Sequence, residues 1–225
     1  MAIRLYELAG SNPDHLFSPY CWRTRFSLAH KGLDFESVPW RFTENDRLGF
    51  SGQNKVPVLV DGETVVHDSW TIATYLDLTY PQKTLKTEAA HLRFLNAWAD
   101  TVLHPAIARM VVRDILDIIP ENTRDYFRKS REAAFGMTLE QVVEGREDRR
   151  DAFRAVLNPL RIVLRAQPWL GGDAPDYADY IVAGSLMWPR SVSAFDIMPP
   201  NDLVTDWFKK TRALFDGMAE KALRP

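Results

Sequence analysis

"VPVLVDGETVVHDSW", residues 56 to 70, is the stretch whose reading decides the fold. Two apolar runs flank Asp61-Gly62, a dipeptide that favours a two-residue turn between antiparallel strands. Asp68 and Ser69 follow, and both carry oxygens suited to capping the start of a helix. Ile72, Tyr75 and Leu76 then share one helical face, and Pro81 sets the end of that helix. This part of the chain therefore reads strand, strand, helix.

Toward the N-terminus, IRLYEL (residues 3 to 8) reads as a strand and residues 10 to 15 as a polar loop. Ser18 opens a helix: it is a preferred N-cap, and Pro19 occupies the first helical position, where its missing N–H costs nothing. Trp22, Phe26 and Ala29 share a face, and Gly32 closes the helix. Residues 35 to 39 form a second strand and residues 43 to 52 a loop or short helix. The resulting order is β-α-β followed by β-β-α.

Strand signals stop after YPQK (residues 80 to 83), and helical periodicity takes over. One helix runs from about Glu88 with Leu92, Leu95 and Trp98 inward, and Pro105 should bend or end it. Another begins at Thr138, which makes a capping box with Gln141, and continues past a bend at Pro159 to about Ala166. Asp176 and Asp179 cap a further helix through Ala183 and Leu186, a structural role in which Asp179 favours the positive helix end. The expected domains are an α/β domain over 1–80, a linker over 81–87 and an all-helical domain over 88–225.

Composition narrows the class. The chain has 225 residues, 46% hydrophobic and 12% aromatic, enough for a sizeable core. Lys and Arg number 28 against 30 Asp and Glu, a net charge of -2, so no strong field is present to hold nucleic acid. No apolar run approaches the ~20 residues that span a bilayer, and the N-terminus enters a strand pattern directly, so no membrane association is expected. Cys21 is the only cysteine, which excludes an intrachain disulfide and a thiolate metal cluster and suits a reducing cytoplasm. The five histidines lack metal-ligand spacing, and no metal is expected.

Three features carry a family resemblance: the Ser18 helix start, the Val56-Pro57 step into a strand, and Asp68-Ser69 opening the next helix. In this order, with an α/β half before a helical half, the chain resembles the cytosolic glutathione S-transferases over its full length. The segment from Asp176 to Asp179 is similar to that family's helix-capping motif. SPYCWRT (18 to 24), the following KG turn, DSW (68 to 70), WLGGD (169 to 173) and YADY (177 to 180) resemble the bacterial β-etherases and the fungal FuA-like, serine-type transferases. The resemblance implies the glutathione transferase fold: a thioredoxin-like α/β N-terminal domain plus an all-α helical-bundle C-terminal domain. It also implies a homodimer, glutathione as co-substrate, and displacement of an aryloxy group from the β-carbon of lignin-derived ketones.

Where glutaredoxin-type enzymes carry Cys-Pro-Tyr-Cys, this chain reads Ser18-Pro19-Tyr20-Cys21. The attacking thiol of the dithiol version is thus an oxygen here, and only the resolving one survives. Nothing nearby resembles the His-carboxylate support that would make Ser18 a nucleophile, so its hydroxyl should donate a hydrogen bond instead. A free thiol of pKa about 8.5 is roughly 3% thiolate at pH about 7, and lowering that pKa by about two units takes about 2.7 kcal/mol. A hydrogen bond to a charged group contributes about 1.5 to 3 kcal/mol and a helix N-terminus about 0.3 to 1. One hydroxyl at one helix end is therefore sufficient, and Ser18 is the expected activating residue.

The resemblance also implies a cis peptide bond before Pro57, with the main chain of Val56 pairing to the cysteinyl part of glutathione as an added strand would. Ser69 and the helix start would take the γ-glutamyl carboxylate, Asp68 the ammonium group, and Lys55 and Gln53 the glycyl end. The electrophile pocket is expected between the domains, from Leu16, Phe17, Trp40, Phe42, Arg109 and Met110. Tyr6 is the alternative activator of the thiol. Two further readings stay open: a glutathione-binding scaffold without turnover, and a glutathione-dependent reductase acting through Cys21.

Overall fold

In the computed structural model, which describes residues 2–225, four strands form one sheet in the order β2-β1-β3-β4. β1 (Ile3–Leu8) runs parallel to β2 (Phe35–Trp40) and antiparallel to β3 (Val58–Asp61), and β3 pairs with β4 (Thr64–His67). A parallel neighbour requires a crossover, which α1 (Pro19–Lys31) supplies. α2 (Ser69–Thr79) completes the thioredoxin-like half. Asp61 pairs with Thr64, so the hairpin loop is Gly62-Glu63, one residue later than the sequence suggested. Gly62 takes the positive φ (+60°) that the tight turn needs. Asp61 stays in the strand, where its carboxylate accepts from the Tyr75 and Tyr80 hydroxyls at 2.8 and 2.6 Å.

Local signals place the helix ends. Ser18 Oγ accepts from the Cys21 N–H at 3.3 Å, and Gly32 stops α1 at φ 70°. Asp68 Oδ1 accepts from the Thr71 N–H at 2.9 Å and caps α2. The buried face of α1 is wider than an apolar stripe, for it includes Arg23, Thr24 and Ser27 beside Trp22, Phe26 and Leu28. Such a helix lies inside the molecule rather than on its surface.

The helical half begins with α3 (Ala90–Trp98), a π-helical segment (Ala99–Leu103) and α4 (His104–Val111). Pro105 neither ends nor sharply breaks this run. Its missing donor is accommodated by the wider π turn just before it, after which the helix resumes. α5 (Ile115–Ile118) leads to α6 (Glu121–Phe135), which the sequence pattern did not reveal. Only Thr123 and Phe127 of its 15 residues are buried, so little apolar periodicity marks it. The Thr138–Gln141 capping box is present, but α7 (Leu139–Val143) is short, and a turn at Gly145 separates it from α8 (Arg150–Val156). α9 (Asn158–Ala166) carries Pro159 in its first turn, so that proline starts a helix rather than bending one. α10 (Tyr177–Val192) opens with the capping box of Asp176 and Asp179, and α11 (Leu203–Arg212) follows. Asp179 is buried and accepts from the Leu170 and Gly171 N–H groups at 2.9 Å and from Trp207 Nε1 at 2.7 Å. Among the described residues no helix is long and apolar enough to cross a membrane.

The two halves meet where α1 lies against α10. A Cβ at Gly184 would stand 2.7 Å from the Pro19 carbonyl oxygen, so only glycine permits this approach. One turn along α1, the fully buried Arg23 donates to Asn96 Oδ1 and Asp100 Oδ1, both at 2.9 Å, and to Ser185 Oγ at 3.3 Å. Tyr177 donates from its hydroxyl to the Ser69 carbonyl at 2.9 Å and so ties α10 to the start of α2. Gly184→Ala should force the helices apart and lower unfolding free energy in urea by about 1 to 3 kcal/mol. An unchanged denaturation midpoint would contradict this account of the interface.

Candidate functional site

The start of α1 opens onto a cavity of about 570 Å³ between the two halves. Phe17, Ser18, Pro19 and Tyr20 line it from the first half, with Trp40 at the end of β2, Phe42 just beyond it and residues 54 to 56 before β3. The helical half contributes Asp100, His104 and Ala108, then Tyr126, Phe127, Arg131 and Phe135 of α6, and Trp188 of α10. Aromatic contacts build the wall: Phe17 meets Phe42 at 6.1 Å between ring centres, Trp40 meets Phe42 at 6.4 Å, and Phe42 meets Phe127 at 5.4 Å.

Ser18 is only 5% exposed, yet it belongs to the cavity wall. Its oxygen accepts the Cys21 N–H, which leaves the hydroxyl hydrogen available to donate into the cavity. The first turn of α1 holds no acidic residue of its own to offset its positive end. Cys21 faces the interior, 1% exposed, and burial pushes its thiol up to about 12, with the Glu7 carboxylate adding to the effect. Such a thiol is protonated and unreactive at neutral pH. Tyr6 is not part of the cavity lining; its ring packs on Phe50 with centres 5.1 Å apart.

Lys55 and Val56 lie at the cavity rim. The Val56-Pro57 peptide bond is cis, and among the described residues no backbone–backbone hydrogen bond uses the main chain of Val56. Lys55 is exposed, and the Gln53 side chain folds back on its main chain, donating to the Lys55 carbonyl and accepting from its N–H. Asp68 sits at φ 70°, exposed, with Oδ1 engaged by Thr71. Ser69 is 2% exposed at the first position of α2. Gln53, Pro57, Asp68 and Ser69 do not line the aromatic cavity.

Neither do Leu16, Arg109 and Met110. Arg109 is exposed, Met110 is in the core, and Leu16 is buried with its carbonyl accepting from Trp22 Nε1 at 3.1 Å. Asp100, His104, Ala108 and Val112 turn to the cavity instead. The π segment inserts an extra fraction of a turn before α4, so a face extrapolated at 3.6 residues per turn from α3 arrives out of phase. The sequence pattern does not mark α6. Its only usable signal was Phe127 and Arg131 one turn apart.

His104 joins Arg23 and Asp100 in a polar network beneath the cavity. Its Nε2 lies 2.9 Å from Ser185 Oγ and its ring meets Tyr20 and Trp188 edge-on. Burial, reinforced by the Arg23 charge, pushes the imidazole down to about 3. The 3.6 Å approach of Nδ1 to Asp100 is therefore no ion pair at neutral pH, and Asp100 is instead neutralised by Arg23.

Comparison with known proteins assigns both halves. Residues 17–79 match the family described as "Glutathione S-transferase, N-terminal domain", and residues 89–212 match "Glutathione S-transferase, C-terminal domain". Glutathione S-transferase Z1 of Arabidopsis thaliana is 36% identical over 86 residues, which is 36% of this chain and 39% of that protein. A zeta-class glutathione S-transferase of Euphorbia esula is 31% identical over 105 residues, 44% of this chain and 47% of that protein. The chain thus spans less than half the length of these curated relatives. Among solved structures, CsGST63524 of Ceriporiopsis subvermispora in complex with glutathione has a TM-score of 0.80 at 24% identity, over 100% of this chain and 99% of that one. GSTFuA3 of Phanerochaete chrysosporium has a TM-score of 0.83 at 23% identity, over 95% of this chain and 97% of that one. At such identities the structural likeness carries the fold.

Two measurements check the electrostatics. Because the folded pKa of His104 lies below its unfolded value, the unfolded chain binds the proton first, and this residue's contribution to stability falls as pH drops from about 6.5 toward 3. Nitrogen NMR should show a neutral His104 ring at pH about 5, well below the ordinary imidazole midpoint, and a charged one would contradict the network. Cys21 in the native protein should resist alkylation at mildly alkaline pH and react only on unfolding; rapid native labelling would contradict its burial.

Proposed function

Because the chain belongs to the glutathione S-transferase family, we propose that it is a glutathione transferase in which Ser18 holds the thiol of glutathione as its thiolate for attack on an aromatic electrophile. The observation that carries this reading is the Ser18 hydroxyl at the mouth of α1, on the wall of an aromatic cavity. A donated hydrogen bond and the helix end act on the same sulfur, and both favour its anionic form.

The residues around Ser18 fit the tripeptide. The unpaired main chain of Val56 offers an N–H and a carbonyl for the cysteinyl part. The first turn of α2 with Ser69 receives the γ-glutamyl carboxylate, and Asp68, with Oδ2 uncommitted, meets the ammonium group. Lys55 is exposed and takes the glycyl carboxylate; Gln53 joins it once its amide releases the Lys55 main chain. Pro57 fixes the step into β3.

The reaction in this reading is cleavage of a β-aryl ether ketone derived from lignin. A carbon–sulfur bond forms at the β-carbon as the carbon–oxygen bond breaks, and the departing pair leaves on a phenolate that takes a proton from solvent. The rings of Phe17, Trp40 and Phe42 support an aryl substrate of this kind. A homodimer and a cytoplasmic location belong to the same reading. Leu78 and Phe94, 80% and 77% exposed on α2 and α3, support a face that a second copy would cover.

The test is turnover of a β-aryl ether ketone with glutathione, followed by phenol release beside conjugation of an aryl halide. Ser18→Ala should lower kcat/KM by about 10- to 100-fold, the value of one hydrogen bond to a charged group, while Cys21→Ser should leave it nearly unchanged. The reverse pattern would assign the chemistry to the thiol and overturn the proposal. Conjugation of the aryl halide without phenol release would remove the ether substrate and keep the transferase.

A further inference from the structure

Arg131 stands on the cavity wall, and among the described residues it has no acidic partner. Its guanidinium carbon lies 5.2 Å from the centre of the Phe127 ring and 5.8 Å from that of Phe42. Its hydrogen bonding among the described residues is one long 3.5 Å contact to Ser130 Oγ. Neighbouring arginines are treated differently by the fold: Arg128 pairs with Glu132 and Glu140 at 2.8 and 2.9 Å, and Arg146 with Asp114 at 2.6 Å. Burial pushes the Arg131 guanidinium below its ordinary value, and the one ionisable group that favours its charge is the Tyr126 phenol. Aromatic faces offset part of the cost of placing a cation there, but a carboxylate or sulfonate would satisfy its planar fork of donors directly.

The position of this cation is as informative as its isolation. Ring contacts run from Phe17, next to Ser18, through Phe42 to Phe127, above which Arg131 sits. Ser18 and Arg131 are therefore joined by one run of aromatic contacts. Lys55, the other cation at the cavity, is exposed to solvent. Asp100, the cavity's carboxylate, is already held by Arg23 and Asn96.

We propose that Arg131 is the anion-recognising residue of this cavity, and that its electrophiles are aryl compounds bearing a carboxylate or sulfonate on the part of the molecule remote from the reacting carbon. This rests on the cavity being the electrophile site, and it adds the chemical class of the substrate. Arg131 binds the anionic substituent, the rings of Phe42 and Phe127 hold the aryl body, and the electrophilic carbon is left toward Ser18.

Fluorescence titration with anilinonaphthalene sulfonate and with its uncharged parent, phenylnaphthylamine, isolates the charge. Arg131→Met should weaken binding of the sulfonate by about 10- to 100-fold and leave the neutral probe within about two-fold, while Arg131→Lys retains part of the preference. Unaltered binding of the neutral probe also reports that each variant is folded. Loss of both probes in equal measure in both variants, or of neither, overturns the inference. The readout needs neither glutathione nor turnover, so its failure leaves the role of Ser18 standing, and an inactive enzyme that still selects the sulfonate leaves this inference standing.

Discussion

The contact of α1 with α10 is the constraint on which the remaining geometry depends. Backbone meets backbone at Gly184, and the buried guanidinium of Arg23 ties α1 to α3, the π segment and α10. The start of α1 is thereby fixed relative to the helical half, and with it the distance between Ser18 and the aromatic side chains of α6. A mobile junction would leave the hydroxyl facing solvent, where a hydrogen bond to it contributes little. The polar network under the cavity belongs to the same clamp: Asp100 is neutralised by Arg23, and His104 is kept neutral by its burial.

Ser18 at the start of α1 and Arg131, which has no carboxylate partner among the described residues, line the same cavity, and a run of aromatic contacts joins them. The buried carboxylate Glu7, by contrast, is enclosed by Arg25 and Ser37 beneath α1 and takes no part in the cavity. Its negative charge helps keep Cys21 protonated. The oxygen at position 18 and the sulfur at position 21 are thus set to different tasks by their surroundings, one facing the cavity and one facing the core.

Much of this was legible in the sequence wherever the information is local. N-caps at Ser18, Asp68, Thr138 and Asp176, the αL stop at Gly32 and the strand pattern around β3 and β4 all follow from side-chain chemistry within a few residues. The hairpin loop at Gly62-Glu63 lies one residue off because Asp61 has partners in Tyr75 and Tyr80 that only the tertiary structure brings near. The cavity face of α4 was not legible, since the π segment shifts its phase. Nor was the buried role of Arg23, whose partners lie 73 to 162 residues away. α6 escaped because its cavity-lining residues, including the exposed Tyr126, are mostly not core residues and leave no regular apolar stripe.

The proposed role of Ser18 depends on the ionisation of a thiol bound beside it. Titrating the glutathione complex by the ultraviolet absorbance of the thiolate measures that quantity directly. The bound thiol should ionise about two units below the free value of about 8.5, and most of that shift should vanish in a variant lacking the Ser18 hydroxyl. The same thiol pKa with and without the hydroxyl would contradict the central claim.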